Sequence, residues 1–241
     1  MDLLEQIGTF GGFNYTIVYD SFDRARFIRG IGFTVSLSLA CMFTSIFGGL
    51  VLALLHHVRG RPTKALIEIF VSVFRNTPPL VQIYFFFFGL GTFVSQTFGG
   101  GFVVSATAWA MVSLTLFIGA LNTECFRAAV QAVPNGYVEG AKALGLRPWV
   151  IIWKIVIPLA VRAALPSLAN NLVELIKATS YGYAIAVPEI LYVSHQIWAD
   201  ELNVIEMMSA LFVTYFLLIG GLIYLMRKLE HRMALPGYGA N

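Results

Sequence analysis

At 241 residues, 58% hydrophobic, 12% charged and with a formal net charge of +3, this chain cannot clothe a water-soluble surface. Soluble domains carry about 25% charged residues. The deficit excludes a soluble globular domain and leaves an integral membrane protein, with lipid in place of water around most of the surface.

In chain order, Asp2 and Glu5 stand where a cleavable signal peptide would have a basic start, so none is expected. Asp20 and Asp23 sit beside Arg24, Arg26 and Arg29 before the first apolar run. Ile31 to Leu55 has no charge. It exceeds the roughly 20 helical residues that cross a bilayer core of about 30 Å. A second span is expected over about 65–90, containing Glu68 and the stretch Arg75-Asn76-Thr77-Pro78-Pro79. Two prolines near mid-span remove amide donors and clash with the preceding turn, so the helix should kink or break there. Freed backbone groups at that depth are tolerated where they line a polar cavity. Two readings stand, a packing kink and a solute path through Arg75, Asn76 and Thr77.

The glycine-rich GLGTFVSQTFGGG separates a third span at about 102–124, ending in Asn122 and Glu124. Glu124 and Arg127 are three apart and can pair on a helix. A fourth span runs from Trp149 to about Ala178 and a fifth from Leu202 to Met226. Lys154, Pro158, Arg162, Pro166, Asn170 and Glu174 recur every four residues, a stripe that drifts about 40° per step around an ideal helix. Such a helix must meet protein or water on several sides, and Lys177 lies within reach of Glu174. Cys41 and Cys125 fall inside spans without metal-ligand spacing and read as buried thiols. His56-His57 reads as an interfacial pair, and Tyr84 to Phe88 as lipid contact and packing.

Lys and Arg gather after the first span (Arg59, Arg61, Lys64), after the third (Arg127, Lys142, Arg147, Lys154) and in the tail (Arg227, Lys228, Arg232). The other two loops have none, and the later one carries Glu189, Asp200 and Glu201. The positive-inside rule then predicts a cytoplasmic C-terminus and, with five spans, an external N-terminus. Arg24, Arg26 and Arg29 count against that orientation.

Between the third and fourth spans, Tyr137 to Leu146 is expected to form a short helix. The turn Pro134-Asn135-Gly136 precedes it, Glu139 lies in its first turn and Gly145 stops it. Gly140, Ala141 and Ala143 would give it a close-approach face, suited to docking.

Here the residues resemble a known pattern. Glu139-Gly140-Ala141, Gly145 after three residues and Ile155-Val156-Ile157-Pro158 after nine more are similar to the EAA loop of bacterial ABC-importer permeases. RGIGFTVSLSL, FRNTPPLVQIYFFFFGLG, ECFRAAVQAVPNGYVEGAKALGL and IPLAVRAALPSLANNLVELIKATS extend the resemblance to the polar amino acid branch of that family. It implies an all-α integral membrane fold of the type I importer class, with five transmembrane helices and a cytoplasmic coupling helix. Residues 30–228 would form the permease domain, 1–29 an N-terminal periplasmic or interfacial segment, and 229–241 a cytoplasmic tail. Glu139, Gly140, Ala141, Ala143, Leu144, Gly145, Ile155 and Pro158 would couple the chain to its motor. The implied partners are two cytoplasmic ATPases carrying ATP and Mg, a second permease, identical or homologous, a periplasmic amino-acid-binding protein, and membrane lipid. Nucleic acid is not among them. The chain itself would hold no cofactor or metal and hydrolyse nothing, and it would sit in the bacterial inner membrane.

An amino acid needs a cation for its carboxylate and a carboxylate for its ammonium. Arg75 or Lys177 could serve the first and Glu124 or Glu174 the second, with Asn76, Thr77 and Thr179 alongside. Where many relatives look like Lys-Asp-Thr-Ser, this chain reads Lys177-Ala178-Thr179-Ser180. Losing that acid favours an acidic or neutral polar amino acid, or a derivative, with basic amino acids as the alternative. A self-sufficient secondary transporter would show internal repeats, and none is visible. A membrane redox enzyme would need facing ligands, whereas His56, His57, His195 and His231 lie at edges or loops.

Overall fold

The computed structural model describes residues 8–9, 12–98 and 104–233, and every regular element among them is helical. After a single turn at Thr16–Tyr19 come α1 (Ser21–Val58), α2 (Arg61–Asn76), α3 (Pro79–Thr97) and α4 (Ala106–Gln131). They are followed by α5 (Asn135–Ala143), α6 (Pro148–Ile185), α7 (Ile190–Glu201) and α8 (Val204–Met233). Five of them, α1, α3, α4, α6 and α8, are long and apolar enough to cross a membrane, as the hydropathy of the sequence predicts. Asp2, Glu5, the glycines at 99–101 and the end of the tail lie outside the described residues.

The helix α1 begins well before the expected span. The Asp20 carboxylate accepts from the amides of Phe22 and Asp23 at 2.6 and 3.3 Å. This N-cap satisfies donors that would otherwise be orphaned. The boundary expected at residue 29 therefore falls inside a helix, as does the one at 228, which lies within α8. The three arginines that opposed the charge rule have local partners. Arg26 reaches Asp200 at 2.8 Å and Asp23 at 3.4 Å, Arg24 donates to the Val18 carbonyl, and Arg29 to that of Ala25.

The expected second span is two helices. Thr77 and Pro78 separate α2 from α3, and only Pro79–Thr97 keeps the length and apolarity of a span. Pro78 is extended and Pro79 opens the first turn of α3, where a missing amide costs nothing. The Gln82 side chain closes the break by donating to the Thr77 carbonyl and hydroxyl at 3.0 and 2.7 Å. Proline acts again in α6. The Pro158 ring would meet the Lys154 carbonyl, and a π-turn over Ile152–Val156 widens the helix just before it. The run Tyr84 to Phe88 is mostly exposed as lipid contact requires, while Phe86 turns inward and stacks on Trp109.

The chain divides into two compact units. Unit 1 comprises Met1–Met42, Thr77–Thr115 and Glu174–Gly220, and unit 2 comprises Phe43–Asn76, Leu116–Val173 and Gly221–Asn241. Their charges differ in sign. Among the described residues unit 2 holds 12 Lys and Arg against 4 Asp and Glu, whereas unit 1 holds 4 against 7.

Unit 2 is built on small residues. Ala53, Ala129, Ala160 and Ala164 are buried with Phe126, Ile151 and Leu168, and small side chains let helices approach without a strong hydrophobic drive in lipid. A Cβ on Gly49 would stand 2.7 Å from that of Asn122, so the α1 and α4 backbones touch there. Asn122, fully buried, donates to Ser45 at 3.2 Å and accepts from Asn171 at 2.9 Å, which links α1, α4 and α6 by hydrogen bonds.

In unit 1, Phe27, Ile190, Ile197 and Met207 form the core, and the Thr34 hydroxyl accepts from the Ile190 amide at 3.0 Å. Glu189, counted in the sequence among the charges of the loop before the fifth span, is 0% exposed. Its carboxylate caps α7, accepting from the amides of Leu191 and Tyr192 at 2.9 and 2.8 Å, and the Tyr215 hydroxyl approaches at 3.4 Å.

Burial raises the Glu189 pKa from 4.5 to about 7, against the opposing pull of these three donors. The folded chain thus holds this proton more tightly than the unfolded one. Its contribution to stability is complete below pH 4.5, falls as pH rises and levels off above about 7. Glu189→Gln keeps an acceptor but cannot titrate. The wild-type melting temperature, compared with that of Glu189→Gln, is expected to drop between those two pH values. Identical pH profiles for the two proteins would contradict the assignment.

Candidate functional site

The helix α5 starts at Asn135, two residues before the expected position, because Pro134 is extended and caps it. The expected turn is therefore the helix start, and Glu139 lies in the second turn, beyond the first-turn position assigned to it. At the other end the helix stops at Ala143, three residues short of the expected Leu146, while Gly145 is the stop that was expected. Gly145 is left-handed at φ 73°, its amide bonds the Lys142 carbonyl at 2.9 Å and the Leu146 amide bonds that of Ala141 at 3.2 Å. Both bonds make a Schellman stop, which a Cβ at Gly145 would strain.

The residues expected to form one small face divide between two sides. Ala141 is buried in the core with Val133 and Ile151, and Ile155 packs on the same cluster. Glu139, Gly140, Ala143, Leu144 and Gly145 are exposed, and a Cβ on Gly140 would meet open space. Leu144 is 81% exposed, and Tyr137, Leu146 and Trp149 are exposed beside it in sequence. Pro158 is exposed on α6, where it shapes the helix rather than the α5 surface.

Three of the charged residues singled out in the sequence come together in unit 2. Glu124 takes a two-pronged bond from Arg127, at 2.6 and 3.2 Å, and Arg75 stands 3.9 Å from the same carboxylate. All three are partly exposed. Also in unit 2, His56 of α1 reaches Glu68 of α2 at 3.0 Å. In unit 1, Glu174 and Lys177 pair at 2.8 Å. The remaining path candidates are satisfied locally. Asn76 donates to Ser72, Thr77 accepts from Gln82, and the buried Thr179 donates to the Ile176 carbonyl. Along α6, Lys154, Pro158, Arg162, Pro166 and Asn170 are all exposed, so the chain itself leaves this polar stripe uncovered.

One cavity has no counterpart in the sequence analysis. In unit 1 a space of about 650 Å³ is lined by Tyr84, Tyr183, Tyr192 and His195 together with the Arg26–Asp200 pair. Its sequence signal is the three-residue spacing of Tyr192 and His195 along α7, which puts both on one face. No cluster of metal-ligating side chains occurs among the described residues.

Residues 45–235 match the family described as binding-protein-dependent transport system inner membrane component. The glutamine transport system permease protein GlnP of Escherichia coli strain K12 is 31% identical over 206 residues, 86% of this chain and 92% of that protein. The arginine ABC transporter permease protein ArtM of Haemophilus influenzae is 28% identical over 208 residues, 86% of this chain and 91% of its own. Among solved structures, an amino acid ABC transporter determined with histidines superposes with a TM-score of 0.78 at 25% identity, over 87% of this chain and 94% of that one. The MetNI methionine ABC transporter, at TM-score 0.76 and 17% identity over 90% of this chain and 100% of that one, shows the same fold.

The family match identifies this arrangement of five apolar helices, with a short helix between two of them, as a membrane-embedded permease subunit, of a family whose members are not catalysts. The chain belongs to the family of binding-protein-dependent transport system inner membrane components and is an amino-acid ABC importer permease.

The ion-pair geometry sets a measurable order. In double-mutant cycles read by thermal unfolding, the Glu124–Arg127 coupling is expected to exceed the Glu124–Arg75 coupling, since the first is bidentate at 2.6 Å and the second spans 3.9 Å. Equal couplings, or a larger one to Arg75, would contradict the geometry.

Proposed function

We propose that α5 is the coupling helix of this permease, gripped on its outward face by a cytoplasmic ATPase. The observation that carries this is Leu144, 81% exposed between the exposed small residues Gly140, Ala143 and Gly145 while Ala141 anchors the helix from behind. A large apolar side chain held in water by a rigid cap is a surface awaiting a partner. The charge census supports a cytoplasmic side for it. Ten of the 16 Lys and Arg gather after the first span, after the third and in the tail, which the positive-inside rule assigns to the cytoplasm, and α5 lies in the second of these connections. In this reading the C-terminus is inside and the N-terminus outside. Two ATPases supply ATP and Mg, a periplasmic binding protein delivers the solute, and a second permease completes the pathway. The exposed polar stripe on α6 is a surface for that second subunit or for the path between the two.

The solute in this reading is an acidic or neutral polar amino acid, or a derivative of one. Named relatives transport glutamine in one case and arginine in another, so the charge preference is argued from this chain. Ala178 is fully buried and brings a methyl where an acid would have met a cationic side chain. Glu124 is already shared by two arginines and Glu174 is paired with Lys177. Both carboxylates considered for the path therefore already have partners.

Replacing Leu144 tests the coupling role. Burying a leucine contributes about 1.5–3 kcal/mol, so Leu144→Asp is expected to weaken ATPase capture by about tenfold or more and to remove binding-protein-stimulated hydrolysis. The control is Leu202→Asn, at a residue equally exposed but in unit 1. Normal coupling in the Leu144 variant would overturn the assignment. For the solute, competition is measured in cells expressing the whole importer. Uptake should be blocked by glutamine, glutamate or their derivatives, and inhibition by arginine and lysine alone would reverse the charge preference.

A further inference from the structure

Behind α5, on the side away from Leu144, unit 2 contains a second cavity of about 520 Å³. Its walls come from the end of α1, the end of α4, α5 and the start of α6. The lining divides by chemistry. Val130, Val133, Val138, Ile151, Ile152 and Val156 are apolar, whereas His57, Gln131, Asn135 and Lys142 bring N–H donors. No carboxylate lines the cavity, and among the described residues Lys142 has no ion-pair partner. A lining that combines one lysine cation, three further N–H donors and branched aliphatic side chains fits an anionic amphiphile.

Depth is indicated separately. Trp149 and Trp153 lie one turn apart on α6 and are 60% and 61% exposed. Exposed indoles settle at the headgroup level of a bilayer. Ile151 and Ile152 of the cavity wall lie between them in the chain, so the cavity stands at that level too.

We propose that this cavity seats one anionic phospholipid, its phosphate against His57 and Lys142 and an acyl chain along Ile152 and Val156. A zwitterionic lipid offers the same phosphate but adds a cation that Lys142 repels. Through Val138 and Lys142 the lipid touches the inner side of α5, where it braces the helix from behind. The site stands on the geometry of unit 2 and does not rest on the importer roles assigned to the outer face.

The test uses the full-length permease in phosphatidylcholine nanodiscs with or without phosphatidylglycerol, and native mass spectrometry to count retained lipids. Wild type is expected to retain one phosphatidylglycerol in preference to phosphatidylcholine. Lys142→Ala should lower that preference about fivefold, the effect of one basic residue near an anionic surface, and His57→Ala should lower it as well. Melting in pure phosphatidylcholine, unchanged by either substitution, shows that both variants fold. Equal retention of the two lipids, or an undiminished preference in both variants, would overturn the proposal. Displacement by inorganic phosphate would show a bare anion site instead. A photo-crosslinker at Val138 that captures an ATPase subunit in the assembled importer would show that protein, not lipid, fills the space.

Discussion

Ala141 is locked into the core of unit 2 while Leu144, three residues later, stands in water. What holds both in place is the left-handed turn at Gly145, with its two hydrogen bonds back to Ala141 and Lys142. A short helix in solvent is marginal by itself. This one persists because one face is buried, and its cap prevents the chain from continuing. The exposed face is thereby presented rigidly, and motion of a partner gripping it would be transmitted to α4 and α6, whose residues share the core beneath.

Inside the spans the same economy applies to polar groups. Lipid offers no hydrogen bonds, so each polar side chain must find a partner within protein. Asn122, Ser45 and Asn171 form one closed set, and Glu124 with Arg127 and Arg75 another. Among the described residues the buried Ser38 hydroxyl of α1 has no partner, and on α6 the exposed Lys154, Arg162 and Asn170 have no cover within the chain. That surplus is the physical reason to place this chain in a larger assembly.

Much of this was legible in the residues. Four of the five spans follow from apolar length, and the Gly145 stop from the conformational freedom of glycine. The pairs Glu124–Arg127 and Glu174–Lys177 follow from helical spacing. Other features depend on contacts far apart in sequence. The burial of Glu189 requires Tyr215 and the start of α7, and nothing near Ala186-Val187-Pro188 announces it. The division of Gly140-Ala141-Ala143 between two faces depended on a helix that starts at Asn135, because each residue of shift turns a face by about 100°. The second span was misjudged because apolar length hides a break, whereas Pro78-Pro79 joined to Gln82 ends one helix and begins another.

The most direct measurement of the central claim is labelling of Leu144→Cys with a membrane-impermeant maleimide, with the unsubstituted chain, whose Cys41 and Cys125 lie within helices, as blank. The account predicts no labelling in intact spheroplasts, full labelling in inverted vesicles stripped of ATPase, and protection when the ATPase is added back. Labelling from outside, or labelling that the ATPase leaves unchanged, would contradict it.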